Sequence, residues 1–194
     1  MREKFNQMKL LIIDNYDSFT YNLVQIVEQC GHTNFEIVKN DKLLDIEVDD
    51  FDKVLISPGP GVADDAGDLM AFLRNNYRNK SILGICLGYE AIGELFGGCL
   101  TKLPKPMHGI QNRGRIVIKD KIFQGLPSTF KIGHYHSWII KEASVPPSLQ
   151  IILFDEDNLP MAFAHKRLDI TGLHFHPESI MTEFGKEMIG NWLG

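Results

Sequence analysis

Cysteine is scarce in this chain and basic charge is not in excess. The three cysteines, Cys30, Cys86 and Cys99, form no paired framework, which excludes a disulfide-stapled secreted scaffold and leads us to expect a reducing cytoplasm. A formal net charge of −5 leaves no basic footprint for nucleic acid. Long apolar runs are missing too. The N-terminal MREKFNQMK is positively charged, but the apolar run after it, Leu10 to Ile13, stops at Asp14, too short for a signal peptide or a membrane span. No internal repeat, linker or low-complexity tract interrupts the chain. At 194 residues and 44% hydrophobic it can bury one core, so we expect a single domain over residues 1–194.

The most informative stretch is Ser81 to Gly98, SILGICLGYEAIGELFGG. It reads as a buried strand ending in Ile85, a turn with Gly84 and Gly88 on either side of Cys86, and a helix with Leu87, Ala91, Ile92, Leu95 and Phe96 at helical spacing. Glycines at both positions let strand and helix approach closely and leave Cys86 at the carboxyl edge of a sheet. The positive end of the helix dipole at the sulfur favours a thiolate.

Elements alternate before that stretch. Met8 to Ile13, Phe35 to Val38 and Lys53 to Ser57 read as strands; a helix capped by Ser18 and a weakly helical acidic stretch, Asp41 to Asp50, lie between them. A further helix spans Gly67 to Asn76. This β-α-β order predicts a parallel sheet with helices on both faces. Past Gly98 the pattern changes to short strands, Arg115 to Ile118, Phe130 to Ile140, Gln150 to Phe154 and Met161 to His165, expected as an antiparallel extension. Ile170 to Phe175 is a last strand and Thr182 to Leu193 a last amphipathic helix.

Two further motifs bear on Cys86. SPGPG, Ser57 to Gly61, closes the third strand with a rigid turn whose backbone N–H groups can serve a reacting carbonyl oxygen. Pro60 has no N–H, so the donor must be Gly59 or Gly61, with a second from Leu87. HFHPES, His174 to Ser179, places His176 and Glu178 two residues apart, which in extended backbone points both to one side: a base for Cys86 and an orienter for the base. His174 has the same parity but lies deeper and is expected to pack in the core. The pairs His134/His136 and His174/His176, with Cys86, Glu178 or Asp155 as a third ligand, also admit a zinc site, but neither a cysteine pair nor an HExxH accompanies them.

Together, GICLG, SPGPG and HFHPES resemble the class I, or triad-type, glutamine amidotransferases. DNYDSFTYNL from Asp14, MHG at Met107 to Gly109 and HYHSW at His134 to Trp138 make the chain similar to the glutaminase subunits of anthranilate and aminodeoxychorismate synthases. The resemblance implies a flavodoxin-like α/β fold, a mostly parallel sheet with antiparallel edge strands. It implies a Cys86–His176–Glu178 triad that hydrolyses L-glutamine through a thioester, with Gly59 and Leu87 as the oxyanion hole. Gly59, Pro60, Gly61, position 90, Ser137 and Trp138 become substrate contacts, the backbone of the last two receiving the α-carboxylate. A chorismate-binding synthase subunit, component I, is the implied partner, and no cofactor is implied.

The chain departs from the family at CLGYE, where CLGHQ is usual. Glu90 replaces an amide, and an ionised carboxylate one turn from Cys86 would oppose thiolate formation and repel the substrate carboxylate, unless it pairs with the α-ammonium group or faces solvent. A weakened, regulatory subunit is therefore a competing expectation. A free-standing γ-glutamyl hydrolase or cysteine peptidase of similar fold is another. IQNRG at Ile110 to Gly114 also departs from the usual Lys-Thr-Ser, near the expected partner surface.

Overall fold

The computed structural model describes residues 8–194; Met1–Gln7, most of the charged N-terminal segment, lies outside the described residues. Nine strands form one sheet in the order β2-β1-β3-β4-β9-β8-β7-β5-β6. Its first half is parallel: β1 (Leu10–Asp14), β2 (Phe35–Lys39), β3 (Lys53–Ile56), β4 (Ser81–Ile85) and β9 (Ile170–Leu173). The order 2-1-3-4 followed by β9 is the flavodoxin-like arrangement, which opens its ligand crevice at the strands' carboxyl ends. The second half is antiparallel: β5 (Leu100–Ile116), β6 (Thr129–Ile140), β7 (Leu149–Asp155) and β8 (Pro160–His165).

The helices α1 (Thr20–Gln29), α2 (Leu69–Asn76), α3 (Leu87–Leu95) and α4 (Gly185–Leu193) cover the sheet. Alternate β1 residues serve two separate cores. Leu10 and Ile12 pack with Leu23 and Val27 of α1 and Trp192 of α4, whereas Leu11 and Ile13 pack with Leu69 and Phe72 of α2 and Ile92 of α3. All five β1 residues are buried, which is why the strand reads as an unbroken apolar run.

Several boundaries differ from expectation for local reasons. Ser18 does not cap α1: Phe19 is the N-cap residue without a side-chain bond, and Asp17 Oδ1 accepts the Phe19 N–H at 2.7 Å. The helix expected from Gly67 begins at Leu69, because Gly67 has a φ of 57° and its α-carbon packs on the Asn40 backbone. Asp41 to Asp50 forms two short 3-10 turns, Asn40–Asp45 and Val48–Asp50. The last helix starts at Gly185, not Thr182, since Phe184 takes a φ of 61° and Gly185 crosses directly over the Pro177 carbonyl. Leu100 to Ile116 is one long strand whose ladder with β6 breaks between Lys102 and Met107 and between His108 and Ile110. Strand β9 stops at Leu173, so the residues from His174 onward lie beyond it.

Candidate active site

Cys86 sits between β4 and α3 with a φ of 50°, a left-handed conformation unusual for a residue with a Cβ. The flanking glycines enforce it by close contact. A Cβ on Gly88 would lie 2.9 Å from Ile56 Cβ, and one on Gly84 would run into the Gly88 backbone. Strand β3 and helix α3 thus press together and expose the turn at the strand ends. Leu87 opens α3, where an N–H has no intrahelical acceptor.

His176 and Glu178 reach Cys86 from beyond β9. The contact expected from extended backbone is made instead by a turn, in which the Ser179 N–H donates to the His176 carbonyl at 3.2 Å. His176 Nδ1–H donates to Glu178 Oε1 at 2.6 Å, and the ring lies close enough to Cys86 for the two to interact electrostatically, with Nε2 buried and holding no partner of its own. Strand β6 holds this turn in place: the Gly133 carbonyl accepts the His176 N–H at 3.1 Å, and the Gly133 N–H donates to Thr182 Oγ1 at 3.0 Å. Phe19 and Tyr135 present ring edges to the imidazole.

Electrostatics fit a proton that moves between sulfur and ring. Burial raises the Cys86 thiol above its ordinary value, and the adjacent imidazole offsets only part of that rise, to which Glu90 and Glu178 add. Burial also opposes charge on His176, but Cys86 and Glu178 outweigh it and lift His176 well above the ordinary histidine range. The imidazole thus favours the thiolate while burial opposes it, and Glu178 sits behind the ring to support its charge when the proton moves.

The SPGPG turn closes the other side. Gly59 has no room for a side chain, since a Cβ would fall 2.6 Å from both Asn15 Cβ and Leu87 Cδ2, and this brings its backbone against the start of α3. Asn15 fastens the turn: its N–H donates to Ser57 Oγ at 2.9 Å and its side-chain amide to the Ser57 carbonyl at 2.8 Å. Reasoning from the residues alone missed Asn15, although it stands in the DNYDSF motif.

A cavity of about 150 Å³ lies between these walls, lined by Gly59, Pro60, Gly61, Cys86, Leu87 and Glu90 on one side. Tyr135, His136, Ser137 and Trp138 of β6, with His108 of β5, line the other. Ser137 has no partner across the ladder, because β5 bulges out between Lys102 and Met107 opposite it. Ser137 also lines the cavity.

Glu90 is not solvent-facing, and its charged form would add to the rise of the Cys86 thiol. It is only 3% exposed, its Oε1 lies 3.1 Å from His174 Nε2, and burial lifts its carboxyl to about 8, so it is neutral near pH 7. His174 is fully buried, as its depth in the sequence motif predicts. The two histidine pairs do not converge on a metal. His134 Nδ1 lies 3.1 Å from His136 Nε2, while His174 and His176 turn to separate carboxylates. Among the described residues no group of three or more His, Cys, Asp or Glu is arranged to hold a metal ion.

The family profile described as glutamine amidotransferase class-I matches residues 11–193. The chain belongs to that family. An anthranilate synthase component 2 from Lactococcus lactis is 43% identical over 186 residues, which cover 95% of this chain and 93% of the relative. An aminodeoxychorismate/anthranilate synthase component 2 from Bacillus subtilis is 37% identical over 190 residues, 95% of each chain. Among solved structures, a Thermoplasma acidophilum protein assigned to a GMP synthase superposes with a TM-score of 0.85 at 25% identity, over 97% of this amidotransferase and 93% of that chain.

Proposed function

We propose that this amidotransferase is the glutaminase subunit of a chorismate-using synthase and that Cys86, His176 and Glu178 carry its chemistry. The observation behind this reading is the Cys86–His176–Glu178 cluster, with Cys86 in the lining of a cavity whose walls also include Gly59, Leu87 and Ser137. Relatives named as component 2 of anthranilate and aminodeoxychorismate synthases supply the setting.

The glutamine α-carboxylate rests on the Ser137–Trp138 backbone and its side-chain amide lies over Cys86. The thiolate adds to the amide carbon, and the oxygen takes up negative charge, met by the Gly59 and Leu87 N–H groups. His176 gives its proton to the nitrogen, the carbon–nitrogen bond breaks, ammonia leaves, and a glutamyl thioester remains. His176, neutral again and oriented by Glu178, takes a proton from water as its oxygen attacks the thioester. Collapse of the second tetrahedral adduct returns Cys86 and releases glutamate. Ammonia passes to the chorismate-binding component I, where the product is set. A thiol nucleophile works only while reduced, which fits a reducing compartment such as the cytoplasm.

The test is intact mass after exposure to a glutamine-mimicking diazoketone, with the chain alone and with each candidate chorismate-binding subunit. A single adduct on Cys86, formed faster with one partner, is expected. No adduct in any pairing, while iodoacetamide still alkylates Cys86, would reject a glutamine pocket.

A further inference from the structure

One buried polar chain next to the pocket is not used by the thioester chemistry. His136 Nδ1 lies 2.9 Å from the Trp138 carbonyl, and His136 Nε2 lies 3.1 Å from His134 Nδ1. His134 Nε2 lies 2.6 Å from Asn112 Oδ1, and Asn112 Nδ2 lies 3.3 Å from Asp155 Oδ2. Asp155 Oδ1 closes the chain by accepting the N–H groups of Asp157 and Leu159 at 3.0 and 2.8 Å. His134, His136 and Asp155 are all buried.

Counting protons along this chain gives a definite answer. The Trp138 carbonyl only accepts, so His136 Nδ1 carries a hydrogen; Asn112 Oδ1 only accepts, so His134 Nε2 carries one as well. The two nitrogens that face each other in the middle then need a third. Two neutral imidazoles supply only two. Turning the Asn112 amide over, which leaves its shape unchanged, frees His134 Nε2 to accept and lets His134 Nδ1–H donate to His136. The Asn112 oxygen then faces Asp155 Oδ2, and that contact holds only if the carboxyl carries the proton. Either way the chain closes with one proton more than two neutral rings and a carboxylate.

We infer that Asp155 is a carboxylic acid, that all four bonds run one way from it to the Trp138 carbonyl, and that this chain fixes the Ser137–Trp138 segment for glutamine. This makes His136, His134, Asn112 and Asp155 positioning residues, and it rests on the reading of Ser137 and Trp138 as glutamine contacts. The surrounding charges favour the proton's place. His174, whose ring centroid is 3.9 Å from that of His136, repels a charge on the rings together with His176 and His108. Burial holds His134 down to about 3, and it lifts Asp155 above the ordinary carboxylate range despite the hydrogen bonds from Leu159, Asn112 and Asp157, which pull the other way. The tether also has a reason to exist, because Ser137 lies opposite the register break in β5, between its paired neighbours His136 and Trp138.

Substitution of Asp155 separates this from plain packing. Asp155→Asn keeps an oxygen for the two backbone N–H groups and an N–H for the turned Asn112 amide, so glutamine KM should stay within about twofold of the parent; Asp155→Ala should raise it about tenfold with kcat nearly unchanged. Both are assayed in the complex with its chorismate-binding partner. Equal KM increases for the two variants, or no increase for Asp155→Ala, would overturn the inference. Nitrogen NMR of the unliganded full chain gives an answer without activity or a variant. His134 and His136 should both be neutral with the hydrogen on Nδ1 at pH 7, and an imidazolium signal from either would refute the placement. If the parent hydrolyses no glutamine with any partner, the functional reading fails, while the NMR result still decides the proton chain.

Discussion

Glu90→Gln is the most discriminating single change in the site. In the folded chain Glu90 is 3% exposed, and burial raises its carboxyl from the ordinary 4.5 to about 8. An acid whose folded value lies above its unfolded one keeps its proton on folding and loses it on unfolding throughout the window between the two values. Stability therefore falls as pH rises from about 4.5 to about 8, and the loss is complete above that. At about 1.4 kcal/mol per pH unit the window corresponds to roughly 5 kcal/mol as an upper bound. Water reaching Glu90 from the cavity reduces this, and we expect about 2–4 kcal/mol.

The glutamine side chain has the same shape, carries no titrating proton, and offers its amide oxygen to His174 Nε2–H. Urea unfolding of parent and variant at pH 5, 7 and 9 measures the effect. The variant should match the parent within about 1 kcal/mol at pH 5 and gain a few kcal/mol on it by pH 9. Glutamine KM should diverge in the same direction, rising for the parent above pH 8 and staying level for the variant. A stability offset that is constant across pH would refute the argument, because it would mean that Glu90 ionises freely in the folded state.

Cys86→Ser should lower glutamine hydrolysis by about 10⁴-fold or more while the complex still makes product from added ammonia, measured as glutamate release against product formation. Glu178→Gln keeps the shape but removes the charge behind His176, and should cost about 10²–10⁴-fold in kcat with glutamine KM little changed. Gly59→Ala forces a methyl to within 2.6 Å of Asn15 and Leu87, which must displace the turn; kcat should fall about 10–10³-fold while iodoacetamide still alkylates Cys86 at the parent rate.

Much of the fold was legible because its signals were local. The apolar runs of β1, β3 and β4 and the glycines around Cys86 gave the parallel half and the nucleophile turn, since each needs only neighbouring residues to be read. Strand β5 was not legible. The pattern predicts only Arg115 to Ile118 as a strand there, because Pro104 and Pro106 interrupt it; they fall within the break between Lys102 and Met107, where the strand bulges. The Glu90 environment was hidden for a different reason. Four residues on from Cys86, it fits a solvent face or a core face equally well, and only His174, 84 residues away, decides between them. Asn15 was missed because a buried asparagine that clamps a turn 42 residues on leaves no periodic trace.

The cavity's position follows from where the sheet changes sense. Strand β9 is parallel to β4 on one side and antiparallel to β8 on the other, so the chain leaving its carboxyl end at Leu173 faces Cys86 from the neighbouring parallel strand. Beyond β8 the antiparallel strands continue to the β5–β6 ribbon, which returns over that same end and grips the His176 turn through Gly133. An all-parallel sheet would supply the nucleophile turn and the crevice but no second wall, because its connections cross back over the faces. The ribbon supplies that wall, and its register break falls opposite Ser137, a residue of the cavity lining. On the proposed function, the interruption of the strand is what turns Ser137 and Trp138 toward glutamine.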